Sequence, residues 1–120
     1  MKSYPYGREL RVLTPAQFSN IFNSNPRKFA CRLYTILLCK NDLDNPRLGF
    51  TISKKKVKLA VNRNRVKRIV RDNFRLNQAE LPNVDMVFIA RQGIDQVDNA
   101  QIHQELNNTW QKLRKFANKL

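Results

Sequence analysis

Apolar residues recur along this chain with two different spacings, and the switches between them divide it into elements. Thr14-Pro15-Ala16-Gln17 supplies a hydroxyl N-cap, a proline at the first helical position and a capping-box partner, so a helix should start at Thr14. Phe18, Ile21 and Phe22 then share one face, and the turn formers Asn23 to Pro26 end it. From Phe29 to Lys40 the β-branched, aromatic and aliphatic content predicts a strand, with room for a further short strand near Lys28 to Cys31. Asn41 to Pro46 reads as a hairpin-type loop capped by Asp42 and Asp44. Arg47 to Lys54 alternates Leu48, Phe50 and Ile52 against Gly49, Thr51 and Ser53, the period of another strand.

From Asn62 to about Leu76 the period becomes helical, with Val66, Ile69, Val70 and Phe74 on one side. After Leu81-Pro82-Asn83, the nearly continuous apolar run Val84 to Ala90 predicts a strand central to its sheet. A last helix should run from an N-cap at Asp98 to Lys119, striped by Ile102, Leu106, Trp110, Leu113 and Phe116. The expected fold is α+β: a single-domain α-β sandwich, with a sheet of about four strands and three helices in the order αβββαβα.

Length and composition narrow the picture. The 120 residues suit one domain, 1–120, and 42% hydrophobic residues are enough for a core. Neither repeats nor low-complexity tracts occur. The first ten residues place Pro5, Gly7, Arg8 and Glu9 where a secretory signal needs an apolar stretch of about 7–15 residues, so no export is expected. The most apolar run, Leu33 to Cys39, falls far short of the roughly 18 residues that span a bilayer. Cys31 and Cys39, if both lie in one strand, sit roughly 26 Å apart at about 3.3 Å per residue and cannot pair. Two isolated thiols suit the reducing cytoplasm, and with one distant histidine they make no zinc-ligand pattern.

Charge changes the picture most. The net +14 implies a polyanionic partner such as nucleic acid. Residues 54–75 hold Lys54, Lys55, Lys56, Lys58, Arg63, Arg65, Lys67, Arg68, Arg71 and Arg75 against Asp72 alone, +9 of that total. Solvated helix faces normally mix signs, and crowding one sign costs stability through self-repulsion. At about 100° per residue, Asn64, Arg68, Arg71 and Arg75 fall opposite the Val66 stripe, with Arg63 and Lys67 on one flank and Arg65 on the other. The arginine fork grips phosphate oxygens in two places, and the helix N-terminus adds partial positive charge, so the segment reads as a polyphosphate cradle.

The segment Ser53-Lys54-Lys55-Lys56-Val57-Lys58-Leu59-Ala60-Val61-Asn62-Arg63-Asn64-Arg65-Val66-Lys67-Arg68 resembles the bacterial ribonuclease P protein family, marked by a Lys-Lys strand end, a short loop and Arg-Asn-Arg-x-Lys-Arg. The resemblance extends to Thr14-Pro15-x-x-Phe18-x-x-x-Phe22, Arg47-Leu48-Gly49 and Val87-Phe88-Ile89-Ala90-Arg91, and so covers roughly Arg8 to Phe116. Some family members carry Gly-Asn before Ala-Val, where this chain has Lys58-Leu59 and one residue more.

The resemblance implies a protein subunit that assists a catalytic RNA, with magnesium bound mainly by that RNA, in removing the 5′ leader from precursor tRNA. It implies that the helix bearing Arg63, Asn64, Arg65, Lys67, Arg68 and Arg71 faces the ribonuclease P RNA. A cleft between the first helix and the sheet would take the single-stranded leader, which selects Phe18, Phe22, Tyr34, Lys54 and Lys55. It also implies a left-handed βαβ crossover, against the general preference for right-handed ones. No membrane and no obligate protein partner is indicated.

The residues themselves support these roles unevenly. Aromatic rings four apart on a helix offer stacking worth roughly 1–3 kcal/mol per base without sequence preference. Core packing beside Ile21 remains open for Phe18 and Phe22, as it does for Tyr34. The nine acidic residues form no recognisable ligand motif, and His103 and Trp110 read as structural. A ribosomal or other structural RNA-binding protein and an autonomous nuclease are the competing readings.

Overall fold

The apolar stretch after the first helix folds back on itself. In the computed structural model, which describes residues 15–41 and 43–116, α1 (Pro15–Asn23) is followed by β1 (Arg27–Ala30) and β2 (Tyr34–Lys40), two antiparallel strands in place of one from Phe29 to Lys40. The turn between them, Cys31-Arg32-Leu33, contains none of the usual turn formers. The Cys31 N–H closes it locally on the Tyr34 carbonyl at 2.9 Å, and tertiary bonds brace it: the Arg91 guanidinium donates to the Cys31 carbonyl at 3.0 Å and the Arg91 N–H to the Leu33 carbonyl at 3.0 Å. Cys31 therefore lies in a turn and Cys39 in β2, so the single-strand spacing between them does not apply, and both thiols are unpaired.

Next come β3 (Arg47–Thr51), α2 (Ala60–Asn77), β4 (Val84–Ala90) and α3 (Asn99–Phe116), with short 3-10 turns at Gln78–Glu80 and Ile94–Gln96. The sheet order is β1-β2-β4-β3, with β2 antiparallel and β3 parallel to β4. The αβββαβα order is as expected, and α2 forms the crossover between the parallel pair. β4 is paired on both sides and buried along almost its whole length, which is why it reads as a continuous apolar run. α2 starts two residues before the expected Asn62, from an extended Leu59 that provides no side-chain cap. Asp98 does cap α3, its Oδ1 accepting from the Gln101 N–H at 2.9 Å. The proposed caps Thr14 and Asp42 and the expected end at Lys119 lie outside the described residues. In the loop after β2 the capping acceptor is Asn41, which takes the Leu43 N–H at 2.9 Å.

The even positions of β2, Tyr34, Ile36 and Leu38, join Leu48, Met86 and Phe88 against α2 and α3 in the main core. Across the interface between these two helices lies a buried amide, Asn73. Its Nδ2 donates to His103 Nδ1 at 2.9 Å and Asn107 Oδ1 at 3.2 Å, while its Oδ1 accepts from Trp110 Nε1 at 2.7 Å and Asn77 Nδ2 at 3.1 Å. The amide nitrogen can only donate, so His103 accepts at Nδ1. The opposite sheet face is covered by α1, where Ile21 packs on Val87 with Phe18, Leu37, Cys39 and Ile89 around them.

Candidate nucleic-acid interface

The cationic segment is built on two buried anchors. α2 turns Val66, Ile69, Val70, Asn73 and Phe74 inward, and Val57 plugs the preceding loop into the core with no exposed surface. The Val57 and Lys56 N–H groups donate to the Ser53 carbonyl at 3.0 and 3.2 Å, so the loop is a folded turn. Lys54, Lys55, Lys56 and Lys58 consequently stand around a fixed pivot with their ammonium groups in water. On the helix, Asn64 and Arg68 are exposed, while Lys67, Arg71 and Arg75 are half-buried. Arg71 lies closer to the sheet than its expected place opposite the apolar stripe, with its guanidinium 5.9 Å from the centre of the Phe50 ring. The long stem of arginine follows apolar surface while its head stays near water.

Arg63 and Arg65 differ from Arg68 in being tied to backbone. Arg63 Nη1 donates to the carbonyls of Val57 and Lys58, both at 2.9 Å. Arg65 Nη1 donates to Asn99 Oδ1 at 2.6 Å, and its Nη2 to the Asp95 and Val97 carbonyls at 3.2 and 3.5 Å. Sequence periodicity places both on flanks of the helix, but apart from the Asn99 side chain their partners are backbone carbonyls, which leave no trace in side-chain identity.

The residues assigned to a leader cleft separate. Phe18 is half-buried on the sheet beside Ile21, and Phe22 sits at the rim with 47% of its surface exposed. Tyr34 does not belong with them. It is 0% exposed, on the helix-covered face of the sheet opposite to α1, with its hydroxyl 2.6 Å from Thr109 Oγ1 and its ring 4.9 Å from that of Phe88. Because Thr109 already donates to the Glu105 carbonyl, Tyr34 is the donor to Thr109. Burial pushes the Tyr34 phenol well above its ordinary value of 10.0. Strand parity is the reason for the correction: the α1 side of β2 carries Leu37 and Cys39, and that of β4 carries Val87 and Ile89. Apolar residues at both parities of β2 were the available signal that a second layer covers this face. Lys54 and Lys55 are exposed just beyond the end of β3, whose last residue, Thr51, pairs with Ile89 of β4.

Three of the acidic groups pair with arginines. Asp85 accepts from Arg47 Nε at 2.7 Å and Nη2 at 2.6 Å and from Asn41 Nδ2 at 3.0 Å, and this pairing holds the Arg47 guanidinium above its usual value. Glu80 lies 3.3 Å from Arg114, and Glu105 lies 4.0 Å from Arg32. Among the described residues, no group of three or more His, Cys, Asp or Glu side chains is placed to hold a metal ion, and no helix is long and apolar enough to cross a membrane.

Comparison with known proteins agrees with this architecture. The family model described as Ribonuclease P matches residues 6–114. The ribonuclease P protein component of Idiomarina loihiensis is 49% identical over 114 residues, covering 95% of this chain and 91% of that protein. Its counterpart from Pseudoalteromonas translucida is 44% identical over 113 residues, covering 94% and 80%. Among solved structures, the Staphylococcus aureus RNase P protein superposes with a TM-score of 0.78 at 31% identity, covering 90% of this chain and 94% of that one. The Thermotoga maritima RNase P protein gives a TM-score of 0.75 at 29% identity, covering 85% and 96%. With the match extending over nearly the whole chain in both sequence and fold, the chain belongs to the family of bacterial ribonuclease P protein components.

Proposed function

We propose that this chain is the protein subunit of a ribonuclease P holoenzyme, a single RNA-binding domain that works in the cytoplasm. It binds the ribonuclease P RNA and the single-stranded 5′ leader of precursor tRNA, and the catalytic RNA cuts the leader away to give the mature 5′ end. The observation that carries this reading is the crowd of lysines and arginines on a loop and helix pinned by Val57 and the Val66 stripe, in a chain of this family. A cationic unit that is already rigid loses little conformational entropy on meeting a polyanion, so its charges act together.

The chain's residues divide the work. Asn64, Lys67, Arg68 and Arg71, with Arg63 and Arg65 beside them, face the catalytic RNA. Phe18 and Phe22, with Lys54 and Lys55 at the β3 end, take the leader; Leu37 and Ile89 extend that surface, and Tyr34 has no part in it. Leader sequences differ between tRNA genes, and stacking on a phenylalanine ring tolerates any base. Magnesium held by the RNA supplies the hydrolytic chemistry. Of the protein's carboxylates, Asp85, Glu80 and Glu105 are engaged with Arg47, Arg114 and Arg32.

A mixing assay tests this. Precursor tRNA should stay intact with the protein alone, and should be cut at the mature 5′ end when ribonuclease P RNA is added, at a lower magnesium concentration than RNA alone requires. Cleavage by the protein without RNA would establish an autonomous nuclease. No effect of the protein on the RNA-catalysed reaction would favour a structural RNA-binding protein.

A further inference from the structure

The loop leading into α2 and the connection from β4 to α3 face each other across the start of α2, enclosing a groove of about 480 Å3. One wall presents Lys55, Lys56 and Lys58, the other Gln92 and Gln96, and Asn62 reaches it from the helix. Asp95 is the one acid in the lining, against three ammonium groups. Each wall is tied to α2 by one arginine. Arg63 holds the lysine wall through the Val57 and Lys58 carbonyls, and Arg65 holds the glutamine wall through the Asp95 carbonyl and Asn99. Residues two apart on a helix point about 200° away from each other, so an Arg-x-Arg spacing delivers one strut to each side.

We propose that this groove holds one unpaired nucleotide of the RNA, and that Arg63 and Arg65 are positioning residues that set the separation of its walls. The inference rests on the reading of the chain as the ribonuclease P protein subunit. The nucleotide's phosphate lies on Lys56 and Lys58, which are exposed and whose unbranched stems let both ammonium groups turn toward one anion. Its base lies toward Asn62, Gln92 and Gln96. A carboxamide carries both donors and an acceptor, so three of them can satisfy the edge of any base. The guanidinium ends of Arg65 are committed to Asn99 and backbone carbonyls and present no two-pronged fork to phosphate.

Salt dependence separates the roles, since each phosphate neutralised contributes about 0.7–0.9 to the slope of log affinity against log salt. The full-length protein is titrated with ribonuclease P RNA over a range of KCl, with folding followed by circular dichroism. Lys56→Gln should weaken binding and lower the slope by about 0.7–0.9, as should Arg68→Gln outside the groove. Arg63→Gln and Arg65→Gln should weaken binding while leaving the slope unchanged. The double variant Gln92→Ala, Gln96→Ala, both exposed and so not needed for folding, should bind about tenfold more weakly at unchanged slope, as expected for two lost hydrogen bonds. Slopes that fall by one phosphate in Arg63→Gln and Arg65→Gln would overturn the positioning role, and unaltered binding by the glutamine variant would overturn the nucleotide site. Either result leaves the subunit reading standing if the unmodified protein binds tightly with a steep slope. Failure of the unmodified protein to bind the RNA would sink both.

Discussion

Replacing Asn73 with leucine keeps the side-chain volume nearly constant and removes the hub that joins α2 to α3. Four partners lose a bond, but they do not lose equally. Trp110 is 0% exposed, so its Nε1–H, 2.7 Å from Asn73 Oδ1, would be stranded in the core at a cost of about 1–3 kcal/mol. His103 and Asn77 are half-buried and Asn107 is exposed, so water can replace their bonds at a cost nearer about 0–1 kcal/mol for the three together. The apolar surface that leucine buries offsets part of this, leaving an expected net loss of about 1–3 kcal/mol. Urea unfolding gives the number directly. The double variant Asn73→Leu, Trp110→Phe has no indole N–H to strand, so its loss should be smaller than the sum of the single losses by about 1–2 kcal/mol. Additive losses, or a single-variant cost below about 0.5 kcal/mol, would refute the reasoning.

Asp85→Asn leaves the largely buried Arg47 without its ion pair and should cost about 2–4 kcal/mol by urea unfolding, a little under the fully buried case because both groups keep some water. Tyr34 makes stability depend on alkaline pH: its folded-state ionisation is raised above 10.0, so its contribution is intact below that pH. As pH rises further, the unfolded phenol ionises first and stability drops by about 1.4 kcal/mol per unit. The difference in stability between unmodified protein and Tyr34→Phe should shrink by about 1 kcal/mol from pH 10 to 11, and a constant difference would contradict the burial argument. Phe22→Ala, at a rim position 47% exposed, should change stability by less than about 0.5 kcal/mol. It should weaken holoenzyme binding of precursor tRNA about 5–100-fold without affecting mature tRNA, and equal weakening of both would remove Phe22 from the leader site.

What could be read from the sequence follows physical lines. Hydrophobic periodicity located α2, α3 and the central β4, because burial on one face or both imposes a repeat on the residues themselves. The cations of residues 54–75 were legible as an excess of one sign, which needs no geometry. The turn at Cys31-Arg32-Leu33 was not, since no turn former marks it and the Arg91 that braces it lies 60 residues away. Tyr34 was placed in the cleft by the family resemblance, whereas the face of its own strand that meets α1 has the other parity. Arg63 and Arg65 look the same as Arg68 in a sequence. Only their carbonyl partners separate struts from exposed cations.

Amide hydrogen exchange of the full-length protein, with and without ribonuclease P RNA, tests most directly whether the loop–α2 unit is the docking surface. The account predicts that bound RNA slows exchange across residues 53–66, with smaller changes in β1 and the outer face of α3. Slowed exchange confined to β1 and α3, with the lysine loop and the first turns of α2 exchanging as in the protein alone, would contradict it.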